Sequence, residues 1–557
     1  MSTAKVSLVE RVSYTSSAAR DKDADGYTGV KTPNLEDGAL REGGTPHLLS
    51  KESLGLLAQY AAVGLVYGTL PSTITPFLTY YLNLEGTAST SARALLSIPW
   101  SLKVFVGMIS DNFPIFGYRR RPYMVFGWTM CSLCLFVMAF SPLGAPYFGE
   151  PSDRDLKEDE YEANGVYDRM NTSARDSGGK YIVLMMLASL GYVIADVAAD
   201  AVVVEYGQRE ALAVRGRTQT AIYTVRTFFQ IFAQLILAIG LNQPQYGGEF
   251  DFGISFPNAM LILAIFCIPV IPMTWFFISE EKYYDTNFKS YIVTLWEAIK
   301  SRAFYQVIAY SFFSGVLANI TYVAYDPITS YWVKATSFNL NLSGMIGNGV
   351  MVATLIWTGK SGLHWNWRTM IAITMVAVVA LDIVCTLLVT WDVVRNQWFW
   401  LGMPIVENVP ASVSFIVSTY VVVELAGKGN EGAVYGLLTT VMNLSSPFAS
   451  TITKNMNASF DVWNSDIIND THHVRWEVTY TLLIMYALKL GSLAFLPLLP
   501  RQKEETQALK RTGGSSALMG GLTIFYCMFA LCWSIMVNIF AIYKSTECLK
   551  ITGGCKE

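Results

Sequence analysis

The sequence predicts an all-α polytopic membrane protein: two six-helix halves in parallel repeat, followed by one further C-terminal span. Three observations predict it. Apolar runs close to 20 residues long recur along the 557-residue chain, each long enough to cross a bilayer as a helix. Charged residues make up only 15% of the chain, against about 25% in soluble domains. A short motif then recurs at equivalent places in the two halves, as described below. Lipid offers no hydrogen bonds to backbone groups, so the runs are helices. The short alternating segments of a β-barrel are not seen.

Residues 1–50 are polar, and Asp21, Asp23, Asp25, Glu36 and Asp37 argue against an organelle transit peptide. A disordered cytosolic tail is expected there. The first half is expected over 51–278, with spans at 55–80, 92–110, 122–140, 181–206, 218–241 and 255–278. Its polar excursion at 141–180 is expected outside the cytosol. A charged cytosolic connector covers 279–302, with a candidate interfacial helix at 291–299. The second half is expected over 303–499, with spans at 303–331, 344–358, 369–390, 398–425, 433–453 and 479–499. A cytosolic segment (500–516), the additional span (517–543) and an extracytoplasmic tail (544–557) complete the chain.

Basic residues orient this path. Arg119 to Arg121, then Arg209, Arg215 and Arg217, then Lys360 and Arg368, Lys428, and Arg501 with Lys503 all fall on one side. That side, with the N-terminus, is expected to be cytosolic. The sequons at Asn171, Asn341, Asn457 and Asn469 fall on the other side, by a count that did not use them. They favour a plasma or endomembrane location over a plastid and admit glycosylation. Cys548 and Cys555 share that side, either as a disulfide or as two free thiols. The remaining six cysteines lie in apolar runs and read as small buried hydrophobes. Cys131-x-x-Cys134 lacks a partner His or a second pair, so no metal is expected.

The net charge of −3, without a basic patch beyond the loops, gives no sign of nucleic acid. No nucleotide loop, His–acid cluster or intramembrane Ser–His pair is present, so neither an enzyme nor a cofactor is expected. A monomer in the lipid bilayer, handling a small-molecule substrate, is the expected form. A non-transporting receptor stays as the reading from another class, although no sizeable soluble domain exists to signal with.

The chain is organised around residues 97–123, SIPWSLKVFVGMISDNFPIFGYRRRPY. A helix ends at Gly107-Met-Ile-Ser-Asp111, a loop with Pro114 and Gly117 follows, and Arg119, Arg120 and Arg121 precede Pro122. The loop is either a topology marker or a gate between two spans. The repeat is seen at Val202-Val-Val-Glu205 and Val421-Val-Val-Glu424, each closing a span that heads for the basic side. Each is followed by a loop and a span opening with Gly and Thr, at an offset of 219 for the glutamates and 220 for the glycines. Parallel halves produce such a match.

These features describe the major facilitator architecture. Residues 97–123 resemble the second-to-third span region of the folate–biopterin transporter family within it. Asp196-Val-Ala-Ala-Asp200-Ala-Val-Val-Val-Glu205-Tyr-Gly-Gln-Arg209-Glu210 resembles that family's fourth span. The likeness is concentrated in residues 91–230, and the second half fits by topology more than by motif. The resemblance implies alternating-access uptake of folates or pterins, driven by protons. Another small solute is the alternative within transporters.

Ionisable groups inside spans are functional suspects. Asp196 and Asp200 are four apart and share a helix face. At ~1.5 Å per residue, Lys103, Asp196, Asp200 and Arg226 reach similar depths, so they are expected to form one compensated cluster. Gln219, Tyr223, Arg226, Gln230 and Gln234 form a polar stripe that must face a cavity or a neighbouring helix. For a folate or pterin, Arg226 would grip a carboxylate, Asp200 an aminopyrimidine edge, and Tyr223 the flat ring. The alternative is an internal ion pair that only holds helices together. Ser311, Gly315, Asn319, Tyr322 and Asp326 share a face of the seventh span, and Asp382, Glu407, Gly436, Thr440 and Asn443 are further candidates. Asp196 and Asp326 are the expected proton-coupling carboxylates. Gly107, Asp111, Arg119, Arg120, Arg121, Glu205 and Arg209 are the expected gate, with topology and helix capping as the plain alternative.

Overall fold

Capping residues and prolines set several helix limits. The structure, a computed structural model, describes residues 47, 50–209, 217–282, 288–361, 365–425 and 431–554. Helix α1 (Lys51–Thr69) starts where the Ser50 hydroxyl accepts the Ser53 N–H at 3.3 Å. Pro71 and Pro76 then remove backbone donors, and the span finishes in widened turns over Ile74–Tyr81. The second span is not one helix. Pro99 splits it into α2 (Gly86–Ser97) and α3 (Lys103–Asn112), joined by a tight turn over Ile98–Leu102. Helices α4 (Arg121–Phe140), α5 (Gly178–Arg209) and α6 (Arg217–Gly240) follow. Pro269 divides the next span into α7 (Phe256–Cys267) and α8 (Val270–Phe277).

The connector carries α9 (Phe288–Lys300) and leads into α10 (Arg302–Ala318). Beyond α10 the chain opens and resumes in widened turns over Ile328–Trp332, after Asp326-Pro327. The sequence places a proline break at Asp326-Pro327 within this span, whereas the backbone departs from the helix already at Asn319. Then come α11 (Ser337–Ser361), α12 (Trp367–Thr390), α13 (Gln397–Leu425), α14 (Glu431–Asn457) and α15 (His472–Gly491). A short amphipathic α16 (Lys503–Thr512) precedes α17 (Ala517–Phe540). Nine helices among the described residues are long and apolar enough to cross a membrane. α10, α11, α13 and α14 are not among these nine.

The backbone adds a second internal match. The widened turns of the first span lead to Asn83 at φ 53°, and those before α11 lead to Lys334 at φ 53°. Each is followed three residues later by the next long helix.

Two apolar cores hold the chain. One gathers residues such as Tyr60, Trp128, Tyr181 and Phe256 from the first half. The other gathers Phe312, Trp367, Trp400 and Met485 from the second. In the first, α4 and α5 touch backbone to backbone, since a Cβ added at Gly127 would sit 2.5 Å from the Gly191 oxygen. On the face opposite the arginine loop the halves are bonded together. Tyr331 donates to Asn83 at 2.7 Å, the Asn464 N–H to Glu85 at 3.1 Å, and Tyr80 to the Ala335 carbonyl at 2.7 Å. The 141–180 excursion reaches across as well, through Lys334–Asp155 at 3.2 Å.

Two sequon asparagines are buried within helices, Asn341 and Asn457, with their amides bonded to the preceding turn. Neither is presented for glycan attachment as folded. Cys548 is in a disulfide, and Cys555 lies outside the described residues.

Candidate functional site

The break at Pro99 frees backbone groups inside the bilayer, and these must find partners. The second half supplies them. Thr440 accepts the Val104 N–H at 3.0 Å, and Asn443 donates to the Trp100 carbonyl at 3.3 Å. Two polar positions on α14 thus tie it to the interrupted span.

Just beyond the break stands the charged cluster. Lys103 bonds Asp196 at 2.7 Å and Asp200 at 3.0 Å. Tyr60 donates to Asp200 at 2.6 Å. Asp196 is 1% exposed, and its Oδ1 has no hydrogen bond among the described residues. Arg226 joins through rings: its guanidinium lies 5.1 Å from the centres of both Tyr67 and Trp100, and Lys103 lies 4.6 Å from Trp100. The four groups expected to cluster therefore do so around Trp100. Tyr223 is exposed beside them. The polar stripe of α6 serves partly as an interface, for Gln234 accepts from Asn348 of α11 at 3.0 Å. Gln230 backs onto Gly68 of α1, and the Gln219 side chain lies outside the described residues.

A cavity of about 710 Å³ lies mostly in the second half. Arg226, Asp196, Asp200 and Lys103 are not in its lining, whereas Ser311, Gly315, Asn319, Tyr322 and Asp326 all are. Two ion pairs line it, and a further carboxylate is bonded by a tyrosine. Arg93 reaches Asp326 at 2.7 Å, with Thr75 bonded to the same carboxylate at 3.1 Å. Lys489 lies 3.6 Å from Glu407, and Asp382 accepts the Tyr486 hydroxyl at 2.9 Å. Tyr325 stacks on Trp400 with ring centres 5.6 Å apart.

Arg93, Lys489 and Tyr486 were missed in the sequence. The sequence pattern begins this span at residue 92, which leaves Arg93 at its edge. The helix starts at Gly86, so Arg93 sits about two turns inside. Lys489 carried a usable signal, a lone lysine within an apolar run.

The arginine loop closes as a tight turn. Ile115 and Tyr118 exchange backbone bonds at 2.9 and 3.0 Å around Phe116 (φ 56°) and Gly117 (φ 83°). Asp111 pairs with Arg120 at 2.6 Å. The Glu280 carboxylate, one of the charges of the 279–302 connector, accepts the N–H groups of Arg119, Arg120 and Arg121 at 2.6, 2.8 and 3.0 Å. It caps α4 from the far end of the half. Gly107 packs near Val197 of α5. Arg209 lies 3.9 Å from Glu52, and Glu205 precedes it by about one turn on α5.

This architecture is that of a known class. A D-xylose–proton symporter matches 81% of the chain and 98% of its own length, with a TM-score of 0.53 at 12% identity. A POT family transporter in complex with 5-aminolevulinic acid matches 80% and 95%, with a TM-score of 0.52 at 9% identity. The chain thus has the major facilitator fold. Residues 64–145 match the BT1 family model. The chain is 24% identical to the folate-biopterin transporter of Synechocystis sp. over 71% of its own length and 72% of that protein. It is 20% identical to folate transporter 1 of Plasmodium falciparum over 76% and 74%. The likeness read from residues 91–230 thus extends, as similarity to these two relatives, along most of the chain. The chain is therefore similar over most of its length to proteins named as folate transporters, and nine of its helices among the described residues are long and apolar enough to cross a membrane.

Proposed function

We propose that the chain moves a folate- or pterin-like organic anion across its membrane by alternating access, with protons as the coupling ion. The observation that carries this is the cavity, which combines cations, carboxylates and stacked aromatic rings within about 710 Å³. That volume is in the range of small-ligand sites, roughly 300–1,000 Å³. Arg93 and Lys489 offer charge to a carboxylate, and Tyr325 and Trp400 offer flat faces to a ring. Asp382 and Glu407 can accept hydrogen bonds from an amino-substituted edge. The names of the two relatives agree with this choice of substrate.

In this reading the first-half cluster is a second polar station facing the interface, where Arg226, Tyr223 and Asp200 meet the ligand as the halves rock. Asp196 and Asp326 carry the coupling proton, each exchanging it as its bond to Lys103 or Arg93 breaks. Asp111, Arg120 and Glu280 latch the gate.

The test is uptake of labelled folate and biopterin into folate-auxotrophic cells, at acidic and neutral pH, beside Arg93→Ala and Arg226→Ala. Saturable uptake that rises in acid and is lost in both variants at normal surface expression supports the reading. No uptake of either ligand by folded surface protein overturns the substrate. Binding without flux turns the assignment to a receptor.

A further inference from the structure

Lys454 is fully buried near the end of α14. No carboxylate lies within ion-pairing distance of it among the described residues. Its Nζ donates instead to Ser91 Oγ at 2.8 Å and to Asn538 Oδ1 at 2.9 Å. Ser91 belongs to α2 of the first half, Lys454 to α14 of the second, and Asn538 to α17. Asn538 is itself fully used. It accepts from Ser450 at 3.3 Å and donates to the Ser534 carbonyl at 2.8 Å. A desolvated ammonium with only neutral partners is costly to bury, so this joint is not simple packing.

The helix that supplies Asn538 belongs to neither half alone. Ala530 and Leu531 sit in the second core, Ile539 packs against the first, and Ile535 packs against both. The segment beyond α17 repeats the pattern. Lys544 pairs with Asp176 of the first half at 3.3 Å, and the Ile551 carbonyl accepts from Asn455 of the second at 3.0 Å. Gly179 packs directly on the Ile542 carbonyl, where a Cβ would sit 2.7 Å away. All these contacts lie on the face opposite the arginine loop, where the halves are already bonded together.

We propose that α17 and the segment after it form a clamp across the two halves, and that the Ser91–Lys454–Asn538 node is the joint that must part for that face to open. Ser91 is the link that breaks, because it is the node's sole contribution from the first half. The clamp then moves with α14. It sets how readily the outward-closed arrangement gives way, whatever the solute.

The test is hydrogen–deuterium exchange on the purified full-length protein, which needs no substrate and so stands apart from the uptake assay. Ser91→Ala and Lys454→Met are compared with wild type. The clamp predicts faster exchange at the inter-half closure, read at Ser337, Phe338 and Asn464, whose N–H groups bond across the halves. Roughly tenfold is expected, the ratio that one hydrogen bond to a charged donor supports. Exchange within α4, α5 and α12 stays at the wild-type rate. Unchanged exchange at the closure in both variants overturns the proposal. So does acceleration spread evenly over α4, α5 and α12 in the mild Ser91→Ala variant, which makes the node a packing contact.

Discussion

Lys103→Met removes the one cation within ion-pairing distance of Asp196 among the described residues. Asp196 is buried and keeps no hydrogen bond on its second oxygen, so the substitution strands a desolvated carboxylate. Breaking a buried pair from one side costs about 3–5 kcal/mol. Asp200 contributes less, because about a third of its side chain reaches solvent and Tyr60 still bonds it. Lys103→Met/Asp196→Asn removes the stranded charge, and a neutral replacement of a buried pair is often close to neutral in stability. The double variant is therefore expected to recover about 2–4 kcal/mol of the loss. Thermal unfolding of the detergent-solubilised protein gives the ranking, with Lys103→Met lowest and the double variant near wild type. A single variant within about 0.5 kcal/mol of wild type, or a double variant no better than the single, would refute charge compensation as the role of Lys103. Uptake by the double variant separates the two meanings of the cluster. Restored stability with restored uptake marks a structural pair, and restored stability without uptake marks a transport station.

Asp470 offers a pH test outside the spans. Burial pushes its carboxyl up, but bonds from Arg395 and Arg475, at 2.7 and 2.8 Å, outweigh this and hold it below the usual range. A depressed folded pKa means the stability is present at neutral pH and is lost as pH falls through that value. Asp470→Asn keeps a residue suited to the left-handed backbone there (φ 48°). Its stability deficit should be full at neutral pH and start to close only below about pH 4, the ordinary carboxylate value. Glu280→Gln keeps the shape but loses the charge that three N–H groups share, and should cost about 1–3 kcal/mol, seen as faster exchange at the start of α4. Gly64→Ala places a Cβ directly against the Arg226 carbonyl. It should force α1 from α6 at a cost of about 1–3 kcal/mol. Gly349→Ala, with nothing within 4 Å, should fold at least as well as wild type.

Much of the chemistry was readable because it is local. Asp196 and Asp200 are four apart on one helix, so a shared partner followed, and Lys103 at matching depth supplied it. Ser311 and Gly315 share a face of α10 by spacing alone and line the cavity, and Tyr322 and Asp326 reach the same cavity from the chain beyond the helix end. The Glu280 cap was not readable. It joins residues some 160 positions apart through backbone N–H groups, which carry no side-chain signal.

By itself the sequence determined that the chain is helical and that it is built for lipid. These follow from run length and backbone donors, which depend on neighbours along the chain. Tertiary structure alone decided which charges share a space. Arg93 meets Asp326 across 233 positions, and Lys454 meets Ser91 across 363. Such pairings depend on how far each helix is shifted and turned against the others. Packing of whole faces sets that, and no single stretch of sequence encodes it.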